Sequence, residues 1–322
     1  MFSPDLSKSL KDIIANSPRV LLICHEKPDG DAISSLLATR LMLFGLNCLD
    51  VQMVSIDGVP KAFEFLPDSN LIKSDFLRGD FEVIITLDCG DFKRTGYSDR
   101  IAKMIEKGTK LINIDHHPKN DIFRIAHLNL SDTTCASTTQ IIYQLCQFFH
   151  LKLDVKLATL LFVGLYTDTG GFQHIVTSPE VMRMAAELVS SGAQTRLISQ
   201  YLTGTKSSAQ LKLWGRVISR ARVSKDGVVV AGVTQSDLKA VGANEEDVAG
   251  LLTMLETLDQ CKMAILLCET ADGVIKGSLR SNNSQIDVSK IARYFGGGGH
   301  VKAAGFTLPG KLVIDKHSVS VV

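Results

Sequence analysis

The sequence predicts an α/β protein: an N-terminal domain on a parallel sheet with helices on both faces, followed by a smaller C-terminal α+β domain. Three observations predict it. Short continuous apolar runs alternate with helical patterns through the first half of the chain, the grammar of βαβ units whose strands are buried on both faces. The texture changes after about residue 205, where strand-like runs follow one another more closely. At 322 residues and 45% hydrophobic composition, the chain can bury a substantial core and is long enough for two domains.

In order, "RVLLICH" (19–25), "NCLDVQMVS" (47–55), "FEVIITLD" (81–88) and "KLINIDHH" (110–117) read as parallel strands. The N-terminal "MFSPDLSKSLKDIIANSPRV" interrupts its apolar positions with charge, so it reads as an amphipathic helix and not a signal peptide. "DAISSLLATRLMLFG" (31–45) has a periodic apolar face and is expected to close at Gly45. Further helices are expected at 135–150, 154–170 and 179–192, the last with Pro179 in its first turn. The C-terminal strands are expected at 227–234, 262–270, 273–281 and 303–314. These readings divide the chain into residues 1–198, a polar linker over 199–210 in "SQYLTGTKSSAQ", and residues 211–322.

Composition excludes several classes. A formal charge of +1 gives no general field for a polyanion, so long duplex nucleic acid is not an expected partner. Seven scattered cysteines without a C-x-x-C pair suit reduced thiols in a cytoplasmic protein. No window has the uninterrupted apolar length of a membrane span.

Chemistry collects where the predicted strands stop. "HEKPDGD" places His25, Asp29 and Asp31 after the first, Asp88 ends the third, and Asp115, His116 and His117 end the fourth. In an open parallel sheet such carboxyl ends converge on one crevice at the switch point. "GLYTDTGGF" adds Asp168 at the end of an apolar helix, before two glycines that permit a sharp turn. Taken singly, Asp31 reads as a helix N-cap, Asp88 and Asp168 as turn formers, and His25 as a packed histidine. Taken together, so many carboxylates and imidazoles in one pocket conflict electrostatically unless divalent metal compensates them. Mixed oxygen and imidazole donors with an oxygen majority lean toward Mn²⁺ or Mg²⁺, and the donor count exceeds the needs of one ion. Two ions about 3.5–4 Å apart are the expectation, a spacing used in phosphoryl hydrolysis. Cys24 and Cys89 flank these positions, but strand alternation turns them toward packing. Arg94, six residues past Asp88, is within reach of a substrate there but reads first as a solvated surface cation, and His127, His150, His174 and His317 match no pattern.

"HEKPDGDAISS", "LDCGD", "DHH" and "GLYTDTGGF", in this order, resemble the four motifs of the DHH phosphoesterase superfamily. "GSLRSNNSQIDVSKIARYFGGGGHVKAAGF" (277–306) resembles its associated C-terminal substrate domain. The two-domain size is most similar to the bifunctional oligoribonuclease and PAP phosphatase group. The resemblance implies two divalent ions, Mn²⁺ with Mg²⁺ or Co²⁺ as alternatives, the first held by His25, Asp29 and Asp88. Asp31, Asp88, His116 and Asp168 would hold a second, with Asp88 bridging. It implies that His117 faces the scissile phosphate and that Asp115 orients His116. In the C-terminal domain it implies substrate contacts from Arg280, Ser281, Gly297, Gly298, Gly299 and His300, with the active site in a cleft between the domains.

The implied activity is two-metal activation of water for hydrolysis of short oligoribonucleotides to mononucleotides and of 3′-phosphoadenosine 5′-phosphate (pAp) to AMP. The partners are then short RNA, dinucleotides and pAp, with no membrane, and a homodimer is compatible with this reading. A cyclic- or linear-dinucleotide phosphodiesterase would use the same motifs. A non-catalytic nucleotide-binding regulator would be expected to have lost ligands, yet each motif position is filled.

Overall fold

The computed structural model describes residues 4–17, 19–77, 79–118, 121–204, 206–315 and 318–322. The chain divides into two compact units, residues 1–204 and 205–322.

The first unit opens with helix α1 (Pro4–Ala15), strand β1 (Arg19–Cys24) and helix α2 (Gly30–Gly45). Strands β2 (Asp50–Val54), β3 (Ile72–Lys73) and β4 (Val83–Leu87) follow, then α3 (Ser98–Glu106), β5 (Lys110–Asp115), the single turn α4 (Ile122–Ile125) and β6 (Leu128–Ser131). Four helices complete the unit: α5 (Thr138–Phe148), α6 (Val155–Asp168), α7 (Pro179–Ser190) and α8 (Thr195–Ser199). The six strands form one parallel sheet in the order β3-β2-β1-β4-β5-β6. Strand order reverses between β1 and β4, so the switch point lies where those two strands end.

The sheet is covered on both faces because its strands are apolar on both. Val20, Leu22 and Cys24 of β1, with Val83, Ile85 and Leu87 of β4, join one core with α1, α2, α5, α6 and α7. The alternate residues Leu21, Ile23, Ile84 and Leu111 join a second core with Phe76, Tyr97, Ile101 and Met104. This alternation is the period of two in an extended chain. Helix α2 is buried nearly all round, and its small Ser34, Ser35 and Ala38 are fully buried beside α6 and α5. Helix α2 closes at Gly45 as expected, with Leu46 as its cap; a side chain at Gly45 would collide with Leu151, so the glycine also permits close packing.

The second unit contains α9 (Ser208–Ile218), β7 (Arg222–Val223), β8 (Val228–Val233), α10 (Gln235–Val241), α11 (Leu251–Glu256), β9 (Met263–Glu269) and β10 (Val274–Arg280). Then come α12 (Val288–Tyr294), β11 (Gly298–Gly299), β12 (Ala303–Pro309), β13 (Leu312–Ile314) and β14 (Val319–Val321). A mixed sheet runs β11-β12-β10-β9-β8-β7, parallel between β8 and β9 and antiparallel elsewhere.

Several expectations need correction. The run 303–314 is two strands, broken at Gly310, whose φ of +129° ends the first, and β13 pairs with β14 in a separate small sheet. The polar stretch 199–210 is largely helical: a π-helical turn over Gln200–Gly204 continues α8, and α9 begins at Ser208 behind the cap of Ser207. Strand β6 has no strong signal in the sequence, since "LNLS" offers two apolar residues, and it is the pairing edge of β5 that makes it a strand. His317 lies outside the described residues.

Candidate metal centre

The parallel sheet delivers its acids and imidazoles to one edge. His25 follows β1, Asp88 follows β4, Asp115 ends β5, His116 and His117 follow it, and Asp168 closes α6. Among the described residues, three groups bring ligand atoms within 4.8 Å of one another: His25, Asp29 and Asp88; Asp31, His116 and Asp168; and Asp88, His116 and His117. Cys24 and Cys89 belong to none of these groups, and burial pushes the Cys24 thiol up to about 12.

Asp88 stands between groups. Its Oδ2 lies 3.7 Å from His25 Nε2, whereas its Oδ1 lies 3.5 Å from both His116 Nε2 and His117 Nδ1. It is 1% exposed, and its backbone adopts φ +58°, the left-handed region that Asp and Asn tolerate better than most residues. Burial alone would raise its pKa, but the surrounding imidazoles, His25 foremost, hold it well below the ordinary carboxylate range.

His25 Nδ1 lies 2.7 Å from the carbonyl oxygen of Glu26. Donation there leaves the Nε2 lone pair facing Asp88 and Asp29, at 3.7 and 3.9 Å. Arg94 also reaches this ring, with Nη2 3.2 Å from His25 Nδ1, so the expected solvated cation sits against a member of the cluster. Its position six residues past Asp88 had left a role at the site open, and a short turn at Lys93–Thr95 brings the chain back so that the Arg94 carbonyl accepts from Glu26 N at 2.6 Å.

Asp31 does not cap α2; Asp29 does, accepting from Ala32 N at 3.1 Å. Asp31 lies inside the helix, 0% exposed, with its carboxylate turned to the start of α5. Burial and the acids Asp168 and Asp88 raise its pKa well above the usual range. Burial, and then Asp88, push Asp168 up to about 6 against the pull of His116. Beyond Asp168 the chain reverses through three successive left-handed residues, Gly170, Gly171 and Phe172. His174 folds back so that its Nδ1 lies 3.1 Å from the Asp168 carbonyl oxygen, a contact its lack of motif concealed.

His116 tests the fit of a metal. Its Nε2 is buried and makes no hydrogen bond, yet lies 3.2 Å from Asp168 Oδ2 and 3.5 Å from Asp88 Oδ1. Burial disfavours its cation, but the surrounding carboxylates, Asp168 first, outweigh that and push it up to about 10. A buried nitrogen aimed among carboxylate oxygens without hydrogen-bond geometry is a donor arrangement that a divalent cation satisfies. The residues fit the group.

Asp115 corrects an expectation. Its Oδ1 accepts from His117 Nδ1 at 2.8 Å and from His117 N at 3.1 Å, so the imidazole it orients through these bonds is that of His117, where His116 was expected. Residues two apart share a side of an extended chain and residues one apart do not. Burial lowers the pKa of His117 and the bond to Asp115 raises it, with a net rise.

In the second unit, Arg280 Nη1 donates to Thr253 Oγ1 at 3.3 Å beside a cavity of about 440 Å³ that Lys276, Ser278, Leu252 and Leu266 also line. Ser281 is not placed for ligand contact: it is 1% exposed, and its hydroxyl donates to the Lys262 carbonyl at 2.6 Å and accepts from Asn283 N at 3.2 Å. The glycine run divides in role. Side chains at Gly297 and Gly299 would collide with the backbone of β12, and the Gly297 N–H already donates to the Ala292 carbonyl, so these two serve close pairing. Gly298 faces open space, and His300 is exposed beside it.

Comparison with known proteins identifies two domain families in the chain. The model for "DHH family, N-terminal domain" matches residues 19–165, and that for "DHHA1 domain" matches residues 215–317. The chain is 29% identical over 292 residues to the bifunctional oligoribonuclease and PAP phosphatase NrnA of Thermus thermophilus, covering 90% of this chain and 84% of that protein. It is 25% identical over 294 residues to the protein of the same name from Bacillus subtilis, covering 90% and 89%. Among solved structures it is similar to an exopolyphosphatase-related protein from Bacteroides fragilis, with a TM-score of 0.88, 25% identity, and coverage of 96% and 92%. Two family models in tandem, relatives matched over nearly their whole length and a shared fold assign the chain to the DHH family, with a DHH domain followed by a DHHA1 domain.

Proposed function

We propose that this DHH-family phosphoesterase hydrolyses short oligoribonucleotides to mononucleotides and pAp to AMP, using two divalent ions. The observation that carries the reading is the division of Asp88, with one carboxylate oxygen toward His25 and the other toward His116. A carboxylate so divided is suited to bridging two ions. His25, Asp29 and Asp88 would hold the first, and Asp31, Asp88, His116 and Asp168 the second. Bound ions would supply Lewis acidity and acidify water, and the mixed donors with an oxygen majority suit Mn²⁺, with Mg²⁺ or Co²⁺ as alternatives.

The chain's own residues supply the rest. His117, fixed through Nδ1 by Asp115, presents Nε2 to a phosphoryl oxygen and stabilises charge developing there. Arg280, Gly298 and His300 offer donors to a nucleotide phosphate, the guanidinium being suited to two-pronged contact. The Thermus thermophilus and Bacillus subtilis relatives carry both activities in their names, which supports the choice of short RNA and pAp.

The test is incubation of Mn²⁺-loaded protein with a 5′-labelled dinucleotide, a 24-residue RNA, cyclic di-AMP and pAp, with EDTA as control. Metal-dependent cleavage of the dinucleotide and of pAp is expected. Preference for the cyclic substrate would move the protein to signalling-nucleotide turnover, and no cleavage of any would overturn the enzymatic reading.

A further inference from the structure

Two wholly buried carboxylates of the centre, Asp31 from α2 and Asp88 from the end of β4, meet at one residue that no motif singles out. Thr138 is the first residue of α5 and is 0% exposed. Its backbone N–H donates to Asp31 Oδ2 at 2.6 Å, and the neighbouring Thr139 N–H donates to Asp31 Oδ1 at 3.1 Å. Its hydroxyl donates to Asp88 Oδ1 at 3.0 Å. Thr138 therefore touches both acids at once, with a different group for each.

Helix capping does not account for that hydroxyl. Ser137 is the N-cap, and its Oγ accepts from Gln140 N at 3.1 Å. The first amides of a helix lack intrahelical partners and favour an anion. Here that anion is Asp31, which occupies both. Across from α5, Gly164 of α6 leaves the space that Asp31 fills, since a side chain there would collide with Asp31 Oδ1 and with Thr139. Asp31 is thus wedged between a helix start and a bare stretch of backbone, with both oxygens directed. Asp88 is held otherwise, with His25 beside one oxygen and His116, His117 and the Thr138 hydroxyl beside the other. Its carboxylate must hold one oxygen toward each ligand group, and rotation about its last bond would exchange or misalign them. The Thr138 hydroxyl marks Oδ1 and fixes that rotation.

We propose that Thr138 is a positioning residue that sets the orientation of Asp88 relative to Asp31, and with it the affinity for the divalent ion those two acids share. The proposal rests on the metal-dependent reading above. Partners of this kind behind metal ligands typically contribute about 10–100-fold in metal affinity or activity.

Thr138→Val keeps the shape and the backbone N–H but removes the hydroxyl; Thr138→Ser keeps the hydroxyl; Thr138→Ala removes both the hydroxyl and the bulk. Each is titrated with Mn²⁺, with free Mn²⁺ read by electron paramagnetic resonance, alongside the melting temperature of the metal-free protein and kcat on a dinucleotide. The expected result is that one Mn²⁺ binds about 10–100-fold more weakly in Thr138→Val and Thr138→Ala, while Thr138→Ser stays within a few-fold of wild type. Thr138→Ala provides the reading if the valine variant does not fold. Wild-type Mn²⁺ affinity and kcat in either hydroxyl-free variant would overturn the proposal. Failure of the wild-type protein itself to bind Mn²⁺ would instead overturn the metal reading on which it rests.

Discussion

Asp115 holds His117 through two atoms at once, accepting from the backbone N–H at 3.1 Å and from the ring Nδ1 at 2.8 Å. The carboxylate is 0% exposed, so the imidazole is fixed by a buried acid that itself has no room to rotate into water. Asp115→Asn is expected to lower kcat on a dinucleotide about 10–100-fold while leaving Mn²⁺ stoichiometry unchanged, because an amide cannot enforce the Nδ1–H tautomer. Steady-state kinetics paired with metal analysis checks this, and an asparagine variant with wild-type kcat would show that His117 needs no such partner.

Asp88 combines the proposed bridging role with a backbone one. At φ +58° an asparagine is tolerated and an alanine is strained by about 1 kcal/mol. Asp88→Asn and Asp88→Ala are both expected to abolish turnover and to cost bound metal, with the alanine variant about 1 kcal/mol less stable than the asparagine variant in urea unfolding of the metal-free protein. Near-normal turnover in either would refute the bridging assignment.

His116 gives metal binding a pH dependence whose sign follows from its raised pKa. In the metal-free protein the carboxylates keep it protonated up to about pH 10, so its cation stabilises the fold fully below the unfolded value near 6.5 and progressively less as pH rises toward 10. A metal must displace that proton. Mn²⁺ affinity is therefore expected to rise with pH between 6 and 9, with proton release. Calorimetric titration in buffers of different ionisation enthalpy measures it; binding without proton exchange at pH 7 would place His116 outside the ligand set.

Asp237 supports the second unit by acid-sensitive contacts. Its side chain, 2% exposed, accepts from Arg216 Nε at 2.7 Å, Arg220 Nη1 at 2.9 Å and Thr234 Oγ1 at 2.8 Å, and it closes a capping box on α10. Burial raises its pKa, but the bonds from Arg220, the Thr234 backbone and Arg216 outweigh that and lower it below the ordinary range. A lowered carboxylate pKa contributes stability that is present above the unfolded value near 3.9 and is lost as pH falls through the folded value. Asp237→Asn is expected to destabilise by about 3 kcal/mol at pH 7 and by much less at pH 2. Urea unfolding at both pH values checks it, and an equal loss at both would mean that charge is not the cause.

The alternating apolar runs determined the parallel sheet, because strands buried on both faces must be apolar on both. The order of acids and imidazoles at the strand ends determined which of these side chains would gather in one place, since parallel strands end on one side. His25, Asp31, Asp88, His116 and Asp168 were legible in this way, from residue type and position along the chain. What the tertiary structure decided are relationships between side chains distant in sequence or turned by one residue. Asp115 reaches His117, Asp29 takes the cap expected of Asp31, Ser281 turns inward, and Arg94 lies against His25. Thr138 meets Asp31 across 107 positions and Asp88 across 50. Local pattern reports which face a residue occupies, whereas hydrogen-bond partners are chosen by how separate elements pack, and only the folded chain brings those elements together.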